Sequence, residues 1–279
     1  MAKKTLAKVT ITPELAGWTI AAILKDELHL SARQRQKVVR TRGIRLDGKQ
    51  VHSLVKVKVG QVLEVLLPEV EQVKVPARPM DLDVLYEDEY LLVVNKPAGM
   101  TVHNVQPDGS ASLAEGVAYY FQQHGRVITP RPVHRLDKDA SGVVIFAKSA
   151  QIQEQLTKAW PDAEKIYWVQ VHGELTENGE ITAPVKGKPA RTKYTPLETH
   201  EGVTTLEVRL YTGRTHQIRV HFAHIGHPVV GDPLYGSREN RPLALHCWRI
   251  TITHPVTKQR IQFAAPPKNS CKNIHGTIQ

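Results

Sequence analysis

The residues best suited to chemistry lie together in Val133–Lys148, which reads Val-His-Arg-Leu-Asp-Lys-Asp-Ala-Ser-Gly-Val-Val-Ile-Phe-Ala-Lys. His134, Asp137, Asp139, the cations Arg135 and Lys138 and a Ser-Gly pair fall between a Pro-Arg-Pro turn and the apolar run Val143–Ala147. Pro130 and Pro132 forbid regular structure ahead of the stretch. The apolar run is short and β-branched, so it reads as a buried strand. Charged groups at the mouth of a buried strand are costly to desolvate unless they are paired or working. The chemistry on offer is that of an ionised carboxylate, which either aspartate of the stretch can carry. Taken alone, the stretch serves equally well as a solvated loop with chance charges.

Further stretches carry polar groups in close spacing. Tyr211-Thr212-Gly213-Arg214-Thr215-His216-Gln217-Ile218-Arg219-Val220-His221-Phe222 opens a helix that Thr215 can cap. Ile218, Phe222 and Ile225 give that helix an apolar face, His216 and Arg219 share another, and Gly226 closes it. Gly231-Asp232-Pro233-Leu234-Tyr235-Gly236 follows as a turn. Ahead of the central stretch, Asn95-Lys96-Pro97-Ala98-Gly99-Met100-Thr101-Val102-His103 reads as a Pro/Gly loop. His216, His221, His224 and His227 invite a zinc reading, but none forms a His-x-x-x-His pair with an acidic partner inside the helix. The basic, Pro/Gly-interrupted Gly187–Tyr194 either contacts phosphates or forms a solvated turn.

The elements that must hold these groups read as strands Leu82–Tyr86, Tyr90–Val94, Lys165–Val171, Thr204–Leu210, Leu245–Ile250 and Arg260–Phe263. Helices are expected over Ser112–His124 and, capped by Ser149, through Trp160. From pattern alone Tyr167 is a core residue of its strand. Residues 69–80, with Pro76 and Pro79, read as a linker, separating a domain over residues 1–68 from a larger one over 81–279.

The net charge of +10 is unevenly spread over the 279 residues. Residues 1–60 hold 13 Lys/Arg and 4 Asp/Glu, a net +9, and the remainder holds 24 and 23, a net +1. Such a local field attracts polyanions, RNA above all. The segment is patterned as a folded unit. Helix Trp18–Leu28 precedes a second helix with the Ser31-x-x-Gln34 capping box, running to Arg42 before Gly43. Arg33, Lys37 and Arg40 share one face of it, and Val38 and Val39 are free to pack. Asp47-Gly48 joins a hairpin, Val55, Val57 and Val59 alternate as a half-buried strand, and Val62–Leu66 closes the unit.

Several of these motifs resemble one family. His134-Arg135-Leu136-Asp137, then Ser141-Gly142 and an apolar strand ending Ala147-Lys148, is similar to the signature of the RluA-type pseudouridine synthases, which modify RNA. Ala140 stands where that family usually has threonine. Asn-Lys-Pro-x-Gly-x-x-Val-His over 95–103, Lys165-x-Tyr167, Gly-Arg-Thr-His-Gln-Ile-Arg-Val-His over 213–221, Gly-His-Pro-x-x-Gly-Asp-x-x-Tyr-Gly over 226–236 and the tail from His254-Pro255 to Pro266-Pro267 follow the same family in order. The resemblance covers residues 83–268. Residues 7–67 resemble an S-four type RNA-binding domain, named after a small-subunit ribosomal protein.

The resemblance implies an α+β fold, with the small RNA-binding domain ahead of a catalytic domain on a largely antiparallel, mixed sheet. It implies that Asp137 is catalytic, that Arg219 pairs with it, and that Tyr167 lies against the target base. It also assigns Arg135, Arg214 and His216 to the RNA, beside Arg33, Lys37 and Arg40 of the basic helix. Pseudouridine formation is a redox-neutral isomerisation and implies no cofactor and no metal. The chain has no Walker loop and no dinucleotide fingerprint. Cys247 and Cys271 give neither a disulfide framework nor metal spacing. No signal-peptide run opens the sequence and no stretch is long enough to span a membrane. A cytoplasmic monomer acting on ribosomal RNA, or second to that on transfer RNA, is the expectation. Two other classes stay open: an inactive RNA-binding protein on this scaffold, and a metal-dependent hydrolase using the histidines and Asp232.

Overall fold

In the computed structural model the chain divides into two units, Met1–Gln72 and Val73–Gln279. The structure describes residues 3–68, 75–103, 109–237 and 240–267, without the side chains of Lys3, Lys4, Arg33 and Pro68. Residues 69–74 of the stretch read as a linker, and Cys271, lie outside the described residues.

The smaller unit orders its elements as β1 (Lys3–Thr10), α1 (Ile20–Ala22), α2 (Ala32–Arg40), β2 (Ile44–Leu46), β3 (Lys49–Gln50) and β4 (Val62–Pro68). Its sheet runs β1-β4-β2-β3, antiparallel throughout. The α2 start is the expected capping box: Gln34 N–H donates to Ser31 Oγ at 3.3 Å and Ser31 N–H to Gln34 Oε1 at 2.8 Å. Asp47 and Gly48 both take positive φ, as a two-residue hairpin turn needs. Gly43 passes so close to β4 that a Cβ there would meet the Leu66 carbonyl oxygen at 2.0 Å. Ile20, Ile23, Leu24, Val38, Ile44, Leu63 and Val65 form the core of this unit.

Four local readings change here. The first helix starts at Ile20, where Thr19 caps it, and unwinds into a π turn over Ile23–Glu27. Val55–Val59 is not a strand: only Lys56 forms a bridge, with Thr19, because its neighbour is the irregular Gly17–Ile20 segment. Val57 is buried there while Val59 is exposed, so the alternation does not carry through. Val39 also faces solvent, while Val38 alone packs. Lys3–Thr10, whose apolar content is slight, is a full edge strand that the sequence pattern does not announce.

The larger unit contains β5 (Asp83–Glu87), β6 (Leu91–Lys96), α3 (Leu113–Gln123), β7 (Arg131–Pro132), β8 (Ser141–Ala147), α4 (Ala150–Ala159), β9 (Glu164–His172), β10 (Gly179–Ile181), β11 (Thr192–His200), β12 (Val203–Leu210), α5 (Gln217–His224), β13 (Leu245–Thr253) and β14 (Arg260–Ala264). Its sheet runs β10-β11-β12-β9-β13-β8-β6-β5, with β14 on β13 and β7 on β8. Every pairing is antiparallel except β13 with β8, so the fold is α+β on a largely antiparallel mixed sheet.

Burial follows from the apolar strands. Val143–Ala147 and Leu91–Val94 are all fully buried, and α3 lays Leu113, Val117 and Phe121 into the same core. Residues 75–80 belong to this unit: Val75 packs on its core, and Arg78 N–H donates to the Glu115 carbonyl. Glu115 in turn accepts from Ser112 N–H at 2.7 Å, which fixes the start of α3.

Candidate active site

The parallel seam between β8 and β13 is where the site forms. Ser141 pairs with His246 and Gly142 with Cys247, and on the other side of β13 Cys247 pairs with Tyr167 of β9. Gly142 adopts φ +112°, and a Cβ would meet the Cys247 carbonyl oxygen at 2.2 Å. Only glycine lets the loop enter the seam this tightly. The loop carrying Asp137 therefore empties into the middle of the sheet, where side chains from three strands meet.

Both ends of that loop are fastened. At one end Ile145 N–H donates to His134 Nε2 at 3.2 Å, and the imidazole stacks on Trp160 with centroids 4.5 Å apart. Burial pushes the His134 pKa down to about 3, so the ring stays a neutral acceptor. At the other end Ser141 Oγ lies 2.8 Å from His246 Nδ1, while His246 Nε2 lies 2.6 Å from the Ala265 carbonyl oxygen. A carbonyl only accepts, so Nε2 carries the proton and Ser141 donates to Nδ1. Between the ends, the fully buried Lys96 donates to the carbonyls of Pro97, Met100 and Lys138 at 2.8, 2.6 and 2.9 Å. Burial lowers its pKa to about 8, opposed by Asp139 and Asp137.

Asp137 is one-fifth exposed and faces the start of α5. Arg219 Nη1 lies 3.5 Å from its Oδ2, and His216 Nε2 lies 3.8 Å from its Oδ1. Thr215 does not cap α5. His216 occupies the cap position in the left-handed region, φ +57°, and Gln217 does the capping work. Gln217 Oε1 accepts from Arg214 N–H at 3.0 Å and from the Thr212 hydroxyl at 2.8 Å, and its amide nitrogen donates to Arg191 O and Thr192 Oγ1. That arrangement turns His216 and Arg219 towards the same carboxylate.

Arg219 has a second, closer acidic partner. Its Nε and Nη2 donate to Asp232 Oδ2 and Oδ1 at 2.6 and 2.7 Å, and Asp232 is fully buried. Such a bidentate fork fixes the guanidinium plane. The same guanidinium lies over the Tyr235 ring, 5.1 Å from its centroid, and the Tyr235 hydroxyl is 3.1 Å from His216 Nδ1. Asp232 and Tyr235 therefore orient both groups that face Asp137. Their signal in the sequence was the Gly-Asp-x-x-Tyr-Gly turn, which carries no hint of a partner thirteen residues back in the chain.

Tyr167 is buried against Cys247, and burial raises its pKa well above the usual phenol value, with Cys247 and Asp137 adding to the rise. It stays protonated and cannot act as a base at neutral pH. Burial likewise pushes the Cys247 thiol up to about 12, which leaves it unreactive. Arg135 and Arg214 are exposed. On the smaller unit Arg40 is exposed and Lys37 half-buried on α2. No group of His, Cys, Asp or Glu among the described residues is arranged to hold a metal ion. No helix among them is long and apolar enough to cross a membrane.

The chain has counterparts among known proteins. The family model described as RNA pseudouridylate synthase matches residues 90–224, from the start of β6 to the end of α5. The "Uncharacterized RNA pseudouridine synthase YhcT" of Bacillus subtilis is 33% identical, over 96% of this chain and 95% of that protein. The "Ribosomal large subunit pseudouridine synthase D" of Nitrosomonas europaea is 31% identical over 93% of this chain and 84% of that protein. Among solved structures, "Human RNA Pseudouridylate Synthase Domain Containing 1" superimposes with a TM-score of 0.57 at 25% identity, covering 69% of this chain and 86% of that one. Matched along nearly its whole length, the chain belongs to the RNA pseudouridine synthases of the RluA type, enzymes that isomerise uridine within RNA.

Proposed function

We propose that the protein converts specific uridines of ribosomal RNA to pseudouridine, with Asp137 as the catalytic group and no cofactor. The observation that carries this is the carboxylate of Asp137 at the sheet's centre, faced by the Arg219 guanidinium at 3.5 Å and held beside the neutral Tyr167. The reaction breaks the bond from ribose C1′ to uracil N1, turns the base, and joins C1′ to C5. The C5 proton is lost and N1 gains one, so substrate and product are isomers and no electrons are exchanged. An ionised carboxylate beside sugar and base is the group this requires. Pairing with that carboxylate is the role assigned to Arg219.

A uridine within folded RNA must leave its stack to reach Asp137, and the Tyr167 ring offers it a face. Arg135, exposed beside Asp137, fills the vacated place or meets phosphate; Arg214 and His216 serve the RNA from the α5 side. The smaller unit, read as an S-four-like domain, grips RNA through Arg33, Lys37 and Arg40. Relatives named for the large ribosomal subunit favour ribosomal RNA over transfer RNA and a cytoplasmic place of work. The protein is taken to act as a monomer.

The test has two parts. Pseudouridines are mapped in cellular RNA with and without the gene, which identifies the target. Tritium release from RNA labelled at uridine C5 then compares wild type with Asp137→Asn, which keeps shape and removes charge. Loss of release with folding and RNA binding intact is expected. Substantial turnover by the variant would falsify the assignment of Asp137.

A further inference from the structure

We infer that Tyr211, with the guanidiniums of Arg191 and Arg209, is a stacking platform for the base of a nucleotide flanking the target uridine. Tyr211 is the first residue beyond β12 and is 36% exposed. It takes no part in the hydrophobic core of its unit. The Arg191 guanidinium lies 4.3 Å and that of Arg209 5.2 Å from its ring centroid. An exposed tyrosine ring with two guanidiniums against it is a flat, polarisable surface that is already in place before any ligand arrives.

Carboxylates hold the two arginines. Arg191 forks onto Glu180 at 2.8 and 3.0 Å, and Arg209 Nη1 lies 2.9 Å from Glu164 Oε1. These pairs offset the charge, and the fork fixes the Arg191 guanidinium plane, so the arginines suit stacking better than phosphate binding. Cations for phosphate lie alongside. Lys193 is the cross-strand partner of Arg209 and exposed, Lys186 and Lys188 are exposed in the turn before β11, and the exposed Arg214 is tied to that turn by its Nε, 3.0 Å from Pro189 O. An aromatic face inside a basic border is the composition that binds a nucleic acid strand by base and backbone together.

The platform is also fixed relative to the reacting group. Tyr211 N–H donates to Arg191 O at 3.2 Å, and Gln217 at the start of α5 donates to the same oxygen at 3.1 Å. His216, which faces Asp137, is five steps along the chain from Tyr211, so the platform lies at most about 18 Å from it. A strand with its uridine at Asp137 reaches Tyr211 within a few nucleotides. The word flanking rests on the proposed role of Asp137; the stacking itself does not.

The experiment uses the full chain and a short oligoadenylate, measured for affinity over a range of salt. Tyr211→Ala is expected to bind about tenfold more weakly with an unchanged salt slope, the effect of one lost base stack. Tyr211→Phe keeps the ring and should bind like wild type, while a Lys186→Ala, Lys188→Ala double variant should flatten the salt slope. With C5-tritiated large-subunit RNA, Tyr211→Ala should raise the half-saturating RNA concentration by a similar factor and keep the saturating rate. Wild-type affinity in Tyr211→Ala, or a loss in Tyr211→Phe as large as in Tyr211→Ala, would overturn the platform. So would a large fall in the unfolding midpoint of Tyr211→Ala, since it would make the residue structural. Binding is read without turnover: if Asp137→Asn stays active the catalytic assignment falls while the Tyr211 result stands, and the converse holds too.

Discussion

Asp232 decides where the Arg219 guanidinium sits, and so which cation Asp137 meets. Two hydrogen bonds of 2.6 and 2.7 Å bind Arg219 to it, against a single approach of 3.5 Å to Asp137. Removing one member of a buried ion pair leaves the other charge uncompensated, at a cost of about 3–5 kcal/mol. Asp232→Ala should therefore lower stability by that order in urea unfolding, while Asp232→Asn, which keeps an acceptor and the shape, should cost less. Folded Asp232→Asn should still show slowed tritium release at saturating RNA, because its Arg219 fork is no longer fixed in plane. A saturating rate equal to wild type would remove Asp232 from the positioning of Arg219. The sequence placed His216 and Arg219 on one helical face, and the two do face one carboxylate, but His216 lies ahead of α5 in the left-handed region, so the Gln217 bonds bring it there and not helix geometry. Asp232 was not legible, because its meeting with Arg219 depends on a turn folding back over α5.

The element that makes the site is the β8–β13 seam with its two histidine fastenings. Gly142→Ala would need a Cβ 2.2 Å from the Cys247 carbonyl oxygen at a φ that side chains avoid. It should unfold or open the seam, seen as loss of the cooperative thermal transition. His134→Phe keeps a ring on Trp160 but leaves Ile145 N–H without its acceptor, which should cost about 1–3 kcal/mol at pH 7. The pH dependence has a definite sign. Both His134 and His246 have folded pKa values below the unfolded 6.5, His134 at about 3. Their neutral forms are favoured by folding, so stability is intact above pH 6.5 and is lost as pH falls from 6.5 towards 3. In His134→Phe the acid limb of the stability profile should be shallower than in wild type; an unchanged slope would contradict the neutral clamp. Strands such as β6 and β8 were readable because their apolar residues are dense, and β12 because its apolar residues alternate. β11 was not, since Thr192–His200 is mostly polar, carries Pro196 and slips register beside it. The Val55–Val59 alternation misled for the opposite reason: a period of two fits a strand, but no regular strand stands beside it to complete the ladder.

At the scale of the whole molecule, the excess charge and the residues proposed for the chemistry occupy different units. The first 60 residues carry +9 and everything after them +1, while Asp137, Tyr167 and Arg219 all lie in the second unit. Each unit has its own hydrophobic core, so the second should fold alone. Where the cut falls matters. Composition alone suggests cutting after the prolines at 76 and 79, but Val75 packs on the second core, Arg78 pairs with Glu115 at 3.5 Å, and Met80 lies against Gly116. A fragment of 73–279 should show a higher unfolding midpoint than one of 81–279. Every Lys or Arg that neutralises a phosphate releases counterions, so the intact protein should lose RNA affinity steeply with salt. The 73–279 fragment should bind more weakly with a shallower slope, and show its deficit mainly at low RNA concentration. Replacing Arg33, Lys37 and Arg40 together should reproduce much of that loss without deleting anything. Salt-dependent affinity and the single-turnover rate at saturating RNA, measured for the three proteins, separate the roles. An unchanged slope in both variants would show that α2 does not face RNA, and a collapsed saturating rate in the fragment would show that the first unit helps to build the active site.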